Sequence, residues 1–76
     1  MTNSELLREK IESGGLKYKY IAEQLEISPY SLQKKIDNLT EFKASEITRI
    51  SSILNLPLKE KDAIFFACDV ELNATN

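Results

Sequence analysis

Between residues 20 and 37, apolar side chains recur at helical spacing twice in quick succession. Ile21, Ala22 and Leu25 fall at i, i+1 and i+4, and Leu32 and Ile36 stand one turn apart, so each set makes one face of a short helix. A start signal separates the two. Ser28 is a good N-cap, Pro29 takes the first helical position where its missing N–H costs nothing, and Ile27 can close on Leu32 as a hydrophobic staple. The pattern predicts one helix over about residues 17–25 and another over about 29–37.

The same reading extends in both directions. Upstream, Leu7 and Ile11, widened by Leu6, give a first helix its inward edge. Thr2-Asn3-Ser4-Glu5 has the form of a capping box ahead of it, and Gly14-Gly15 ends it, Gly being the residue that takes the left-handed conformation past a helix. Downstream, Ile47, Ile50 and Leu54 run along a fourth helix, widened by Ile53 and stopped at Leu56-Pro57. Phe42 and Ile47 have staple spacing across Lys43, and Glu46 is the acidic half of a capping box. Lys43 itself stands where a Thr or Ser cap is expected; it is either a phosphate contact or a tolerated surface residue. Residues 58–66 read as a fifth helix with Ala63, Ile64 and Phe65 or Phe66 apolar.

Beyond that helix, Ile64, Phe66, Cys68, Val70 and Leu72 alternate with period two. The tail is therefore either a short extended strand that pairs with its copy across a two-fold axis or a loose end packing on its own domain, with the last four residues frayed. The expected architecture is all-α, a compact bundle of about five short helices. One domain occupies residues 1–67 and an extended or frayed tail residues 68–76.

Two short helices joined by a tight turn form a helix-turn-helix unit, whose second helix can lie in a DNA major groove. With Leu32 and Ile36 set inward, Tyr30 and Lys34 lie nearly opposite them, and Ser31, Gln33 and Asp37 occupy the flanks. Such a face can serve base edges: Gln suits adenine, Lys suits guanine, and Tyr meets a thymine methyl or a phosphate. Pro29 and Tyr30 fall at the N-terminal end that enters a groove first. Pro29, Tyr30, Ser31, Gln33 and Lys34 are the candidate base readers. In the connection that follows, Asn38, Thr40 and Lys43, together with Lys35, are candidate phosphate contacts, which position a domain without reading sequence. Asp37 repels phosphate, so it is expected to turn aside or to pair with Lys34 or Lys35.

The order and spacing of Ile21-Ala22, Leu25, Ile27-Ser28, Leu32 and Ile36, followed by Phe42, Glu46-Ile47, Ile50, Leu54 and Leu56, resembles the helix-turn-helix domains of phage repressors of the lambda repressor and Cro type. The likeness covers roughly residues 5–66, and Ile64-Phe65-Phe66 is similar to the end of small Cro-like phage proteins from Gram-positive hosts. It implies a cytoplasmic homodimer in a bacterial host cell, bound to double-stranded operator DNA. It also implies phosphate contacts at the start of the second helix, where those repressors carry Thr or Ser and then Gln. Here Lys17 and Tyr18 stand instead; Lys17 can add charge and the Tyr18 hydroxyl can reach a phosphate, but the Gln clamp is absent. Glu26 departs from a common Gly, at a cost of about 1 kcal/mol if the corner residue has positive φ. The aromatic pair exceeds the needs of one small core, so Phe65 or Phe66, with Val70, is assigned to the dimer contact.

Bulk properties narrow the choice of function. Seventy-six residues with 42% hydrophobic and 29% charged side chains fit one soluble helical domain near the lower size limit for folding without staples. The longest apolar run, residues 63–68, is too short for a membrane span, and the polar start of the chain does not read as a secretory signal. Cys68 is the sole cysteine, which suits a reducing compartment and a small buried side chain. With no His, no Cys cluster and no Gly-rich phosphate loop, neither catalysis nor a metal, cofactor or small-molecule ligand is expected.

The net charge of −2 runs against nucleic-acid binding, but its distribution softens that. Residues 17–43 carry five Lys against four acids, and residues 44–76 carry three bases against five acids. The competing reading is a helix-turn-helix fold used as a protein-interaction module, such as an antirepressor.

Overall fold

The computed structural model describes residues 1–66. Five helices follow one another: α1 (Ser4–Ser13), α2 (Tyr18–Gln24), α3 (Pro29–Ile36), α4 (Ala44–Ile53) and α5 (Leu58–Phe65). No strand occurs among the described residues, so the architecture is all-α as the periodicity predicts. The tail, with the proposed strand and Val70, lies outside them.

The core is the set of positions on the inward faces: Leu7 and Ile11 of α1, Ile21 and Ala22 of α2 with Leu25 at its C-cap, Leu32 and Ile36 of α3, Ile50 of α4, and Ile64 and Phe65 of α5. Leu6, Leu16, Tyr18, Ile27, Phe42, Ile47, Leu54 and Leu56 pack around it. Phe65, only 4% exposed, meets Phe42 edge to face with ring centroids 5.5 Å apart. The dimer assignment of Phe65 is therefore corrected: edge-to-face packing on Phe42 makes it a core residue. Phe66 remains 38% exposed.

Four of the five helices end in the same way. Gly15, Glu26, Asn38 and Asn55 have φ of 70°, 59°, 65° and 54°. Each is followed by an apolar residue whose N–H closes a six-residue ring: Leu16 to Ile11 O, Ile27 to Ala22 O, Leu39 to Lys34 O and Leu56 to Ser51 O. These are Schellman ends, which satisfy the last carbonyls and turn the chain sharply. Leu16, Ile27 and Leu56 then dip into the core, whereas Leu39 is 71% exposed.

The N-terminal caps follow the sequence with one shift. Ser28 Oγ accepts the Ser31 N–H at 3.0 Å, and Pro29 opens α3. The cap of α1 is Asn3, not Thr2: Asn3 Oδ1 accepts the Leu6 N–H at 3.1 Å, while its own N–H bonds Ile64 O at 2.6 Å. An Asn side chain caps as well as Thr, and this register also ties α1 to α5.

Candidate nucleic-acid interface

Helix α3 is held to the body along one side and at its C-terminal end, and that attachment decides which of its side chains face solvent. Tyr30 is 73% exposed, and Pro29 and Gln33 are also exposed. Lys34 is half-buried, and its ammonium lies over the Tyr30 ring, 5.4 Å from the centroid. This cation–π contact, one turn apart on the helix, presents a charge and an aromatic edge together. Ser31 is partly withdrawn: its N–H donates to Ser28 Oγ and its hydroxyl lies 3.1 Å from the same oxygen, so it belongs to the cap.

Three residues at the end of α3 do other work than the sequence suggests. Lys35 points inward, with its side chain 12% exposed; its ammonium sits 3.0 Å from Glu46 Oε1 and donates to Glu41 O at 3.0 Å. Its assignment to phosphate is corrected, because a nearly buried ammonium held by a carboxylate and a carbonyl is a link from α3 to α4. Asn38 is likewise corrected. Its Oδ1 accepts the Thr2 N–H at 2.9 Å, and its Nδ2 donates to Thr2 O at 2.8 Å and Ser4 Oγ at 3.2 Å. Both ends of its amide are occupied in tying down the start of the chain. Asp37 pairs with neither Lys34 nor Lys35: the Arg8 guanidinium of α1 holds Oδ1, and Gln33 Nε2 donates to Oδ2 at 3.1 Å.

Arg8, Thr2 and Ser4, whose hydroxyl donates to Ile36 O, are the positioning groups that sequence reading missed. They are 29 to 36 residues from their partners, beyond any local pattern. The only available signal was the inward edge of α1.

The other phosphate candidates divide by position. Lys17 is exposed at the N-cap of α2, and Tyr18 is half-buried against the core. Thr40 is exposed where the connection folds back on α3, with the N–H groups of Leu39 and Thr40 both directed at Lys34 O. Lys43 is exposed at the N-cap of α4 and makes no side-chain cap; instead its N–H donates to Glu46 Oε1 at 2.8 Å, the carboxylate half of a capping box. Burial pushes the Glu46 carboxyl up, but the Lys43 N–H and the hydrogen bond and charge of Lys35, with the Lys43 charge, outweigh it and leave it below its ordinary value. It stays ionised at neutral pH.

Electrostatically, Asp37 and Glu46 are each matched by a cation, Arg8 and Lys35. Lys17 and Lys43 form no ion pair among the described residues. No group of three or more His, Cys, Asp or Glu among the described residues could hold a metal ion, and no helix there is long and apolar enough to cross a membrane. A shallow groove between α4 and α5 is lined by Phe42, Ala44, Ile47, Thr48, Leu58 and Phe66, with Lys61 and Asp62 at its edge. Compared with protein-family models, curated proteins and solved structures, the chain matches none of them.

Proposed function

We propose that the chain is a sequence-specific DNA-binding regulator of the phage repressor and Cro type, in which α2 and α3 form a helix-turn-helix and α3 enters the major groove of an operator. The observation that carries this reading is the set Tyr30, Gln33 and Lys34 on the outer side of α3, while Lys35 of the same helix turns inward to Glu46 and Glu41. Lys17, Thr40 and Lys43 supply exposed donors for the DNA backbone. A homodimer, joined through the α4–α5 groove and Phe66, would set two copies of α3 about 34 Å apart, one helical turn of DNA. Occupying a promoter in the bacterial cytoplasm is then sufficient for repression.

Titration against a selected operator and a scrambled duplex tests this. Lys34→Ala and Gln33→Ala should each cost about 1–3 kcal/mol on the operator alone, and Lys43→Ala should weaken both duplexes and lower the salt slope by about 1. Equal losses on both duplexes for Gln33→Ala and Lys34→Ala would remove base reading from α3.

A second reading, a helix-turn-helix used to bind another protein, is favoured by the exposed Leu39 and Leu58 and by the net charge of −2. The salt dependence of binding to random DNA separates the two. Even four phosphate contacts give a log–log slope near about −3.6, whereas a protein-binding module shows no saturable DNA binding.

A further inference from the structure

We infer that Asp37, held by Arg8, is a positioning residue that fixes which atoms of the Gln33 amide face outward, and so makes Gln33 a reader of adenine over guanine. The inference rests on the reading that α3 enters a major groove.

The argument is one of donors and acceptors. An ionised carboxylate only accepts, so the end of the Gln33 amide that faces Asp37 Oδ2 at 3.1 Å is its –NH₂. One N–H is spent there. One N–H and Oε1 remain, a donor beside an acceptor. In the major groove adenine offers the complement, the N6 donor beside the N7 acceptor, whereas guanine offers two acceptors, O6 and N7. Against guanine the fixed Oε1 would face O6, two lone pairs with no proton between them. An amide released from Asp37 can instead turn its –NH₂ alone toward O6 and N7, and the discrimination weakens.

The Arg8 guanidinium has two effects on this arrangement. Its bond to Asp37 Oδ1 fixes the carboxylate from behind, so that Gln33 has less side-chain freedom left to lose on binding. It also offsets the negative charge that would otherwise meet the DNA backbone. A carboxylate at the end of a DNA-reading helix, unfavourable by itself, gains a purpose from the chain Arg8–Asp37–Gln33.

The test begins with selection of bound duplexes from a random pool by the wild-type chain. In the selected operator, each adenine is then replaced by guanine and affinities are measured for wild type, Gln33→Ala, Asp37→Ala, Arg8→Ala and the double variant Gln33→Ala/Asp37→Ala. One position should favour adenine about tenfold or more in the wild type and lose that preference in Gln33→Ala. At that position alone, Asp37→Ala should reduce the preference to within about threefold, Arg8→Ala should reduce it partway, and the double variant should match Gln33→Ala. A preference unchanged by Asp37→Ala, a Gln33 position that favours guanine, or a loss spread evenly over all positions would overturn the inference while leaving DNA binding in place. A pool that yields no enriched sequence would refute the DNA-reading role, and this inference with it.

Discussion

Glu26 holds a φ of 59° at the corner between α2 and α3, a conformation that gives its Cβ a steric penalty and that Gly adopts freely. Asn38, with φ 65°, sits in the same place after α3, but its side chain makes three hydrogen bonds to Thr2 and Ser4. Substitution by Gly should therefore act in opposite directions. Glu26→Gly relieves strain and loses no recorded side-chain bond, so it should stabilise the fold by about 0.5–1 kcal/mol. Asn38→Gly gains the same backbone ease and loses the latch, for a net loss of about 1–2 kcal/mol. Urea midpoints of the two variants against wild type check this, and a destabilised Glu26→Gly would show that the corner needs its Cβ. The possibility of a left-handed residue at position 26 was legible only through the resemblance, in which that corner is commonly Gly; Glu26 itself gave no local sign of it. The equivalent needs at Asn38 and Asn55 were not: an Asn in a connection has many roles, and nothing local says that position 38 faces residues 2 and 4.

Elements were the most legible scale, since each helix carries its own apolar stripe and its own end signals. What the stripes do not encode is how one helix is fastened to the next through polar groups. The link from α3 to α4 is the Lys35–Glu46 pair, at 3.0 Å, together with the Lys43 N–H and Glu41 O. Lys35 looked like a surface lysine because it follows Lys34 in a helix rich in polar residues; it turns inward because Glu46, buried at the start of α4, lies within reach. Loss of Glu46 leaves Lys35 with one acceptor and opens the α4 cap, so Glu46→Ala should cost about 2 kcal/mol at neutral pH. The pH dependence has a definite sign. The folded-state pKa of Glu46 lies below its ordinary value of 4.5, so the unfolded chain takes up the proton more readily. Its contribution is complete above that ordinary value and disappears as pH falls through the lower, folded-state value. Denaturation of wild type and Glu46→Ala at about pH 7 and about pH 3 should show the gap shrinking in acid. A gap that widened in acid would mean that Glu46 is held by something other than its cations.

At the scale of the whole molecule, the question is whether one copy suffices. With 76 residues and a net charge of −2, a single copy has one small core and a weak attraction to phosphate, both of which a second copy would improve. The adjacent aromatics Phe65 and Phe66 separate the two contributions. The sequence could not, because at the end of a helix a one-residue rotation of 100° exchanges inside for outside. The structure puts Phe65 against Phe42 in the core and leaves Phe66 at the edges of two shallow depressions, one beside Met1 and Thr2 and the other the α4–α5 groove. Phe65→Ala should therefore unfold the domain partly or wholly, at a cost of about 3–5 kcal/mol, whatever the concentration. Phe66→Ser should leave the melting curve of a dilute sample nearly unchanged, yet shift the balance of the proposed homodimer in sedimentation equilibrium toward the monomer. On the proposed DNA-binding reading, operator binding by that variant should then lose its steep dependence on protein concentration while each half-site retains its base preferences, because α3 is untouched. A wild-type chain that stays monomeric at high micromolar concentration would remove the dimer. A Phe66→Ser variant that unfolds as Phe65→Ala does would instead place both rings in one core.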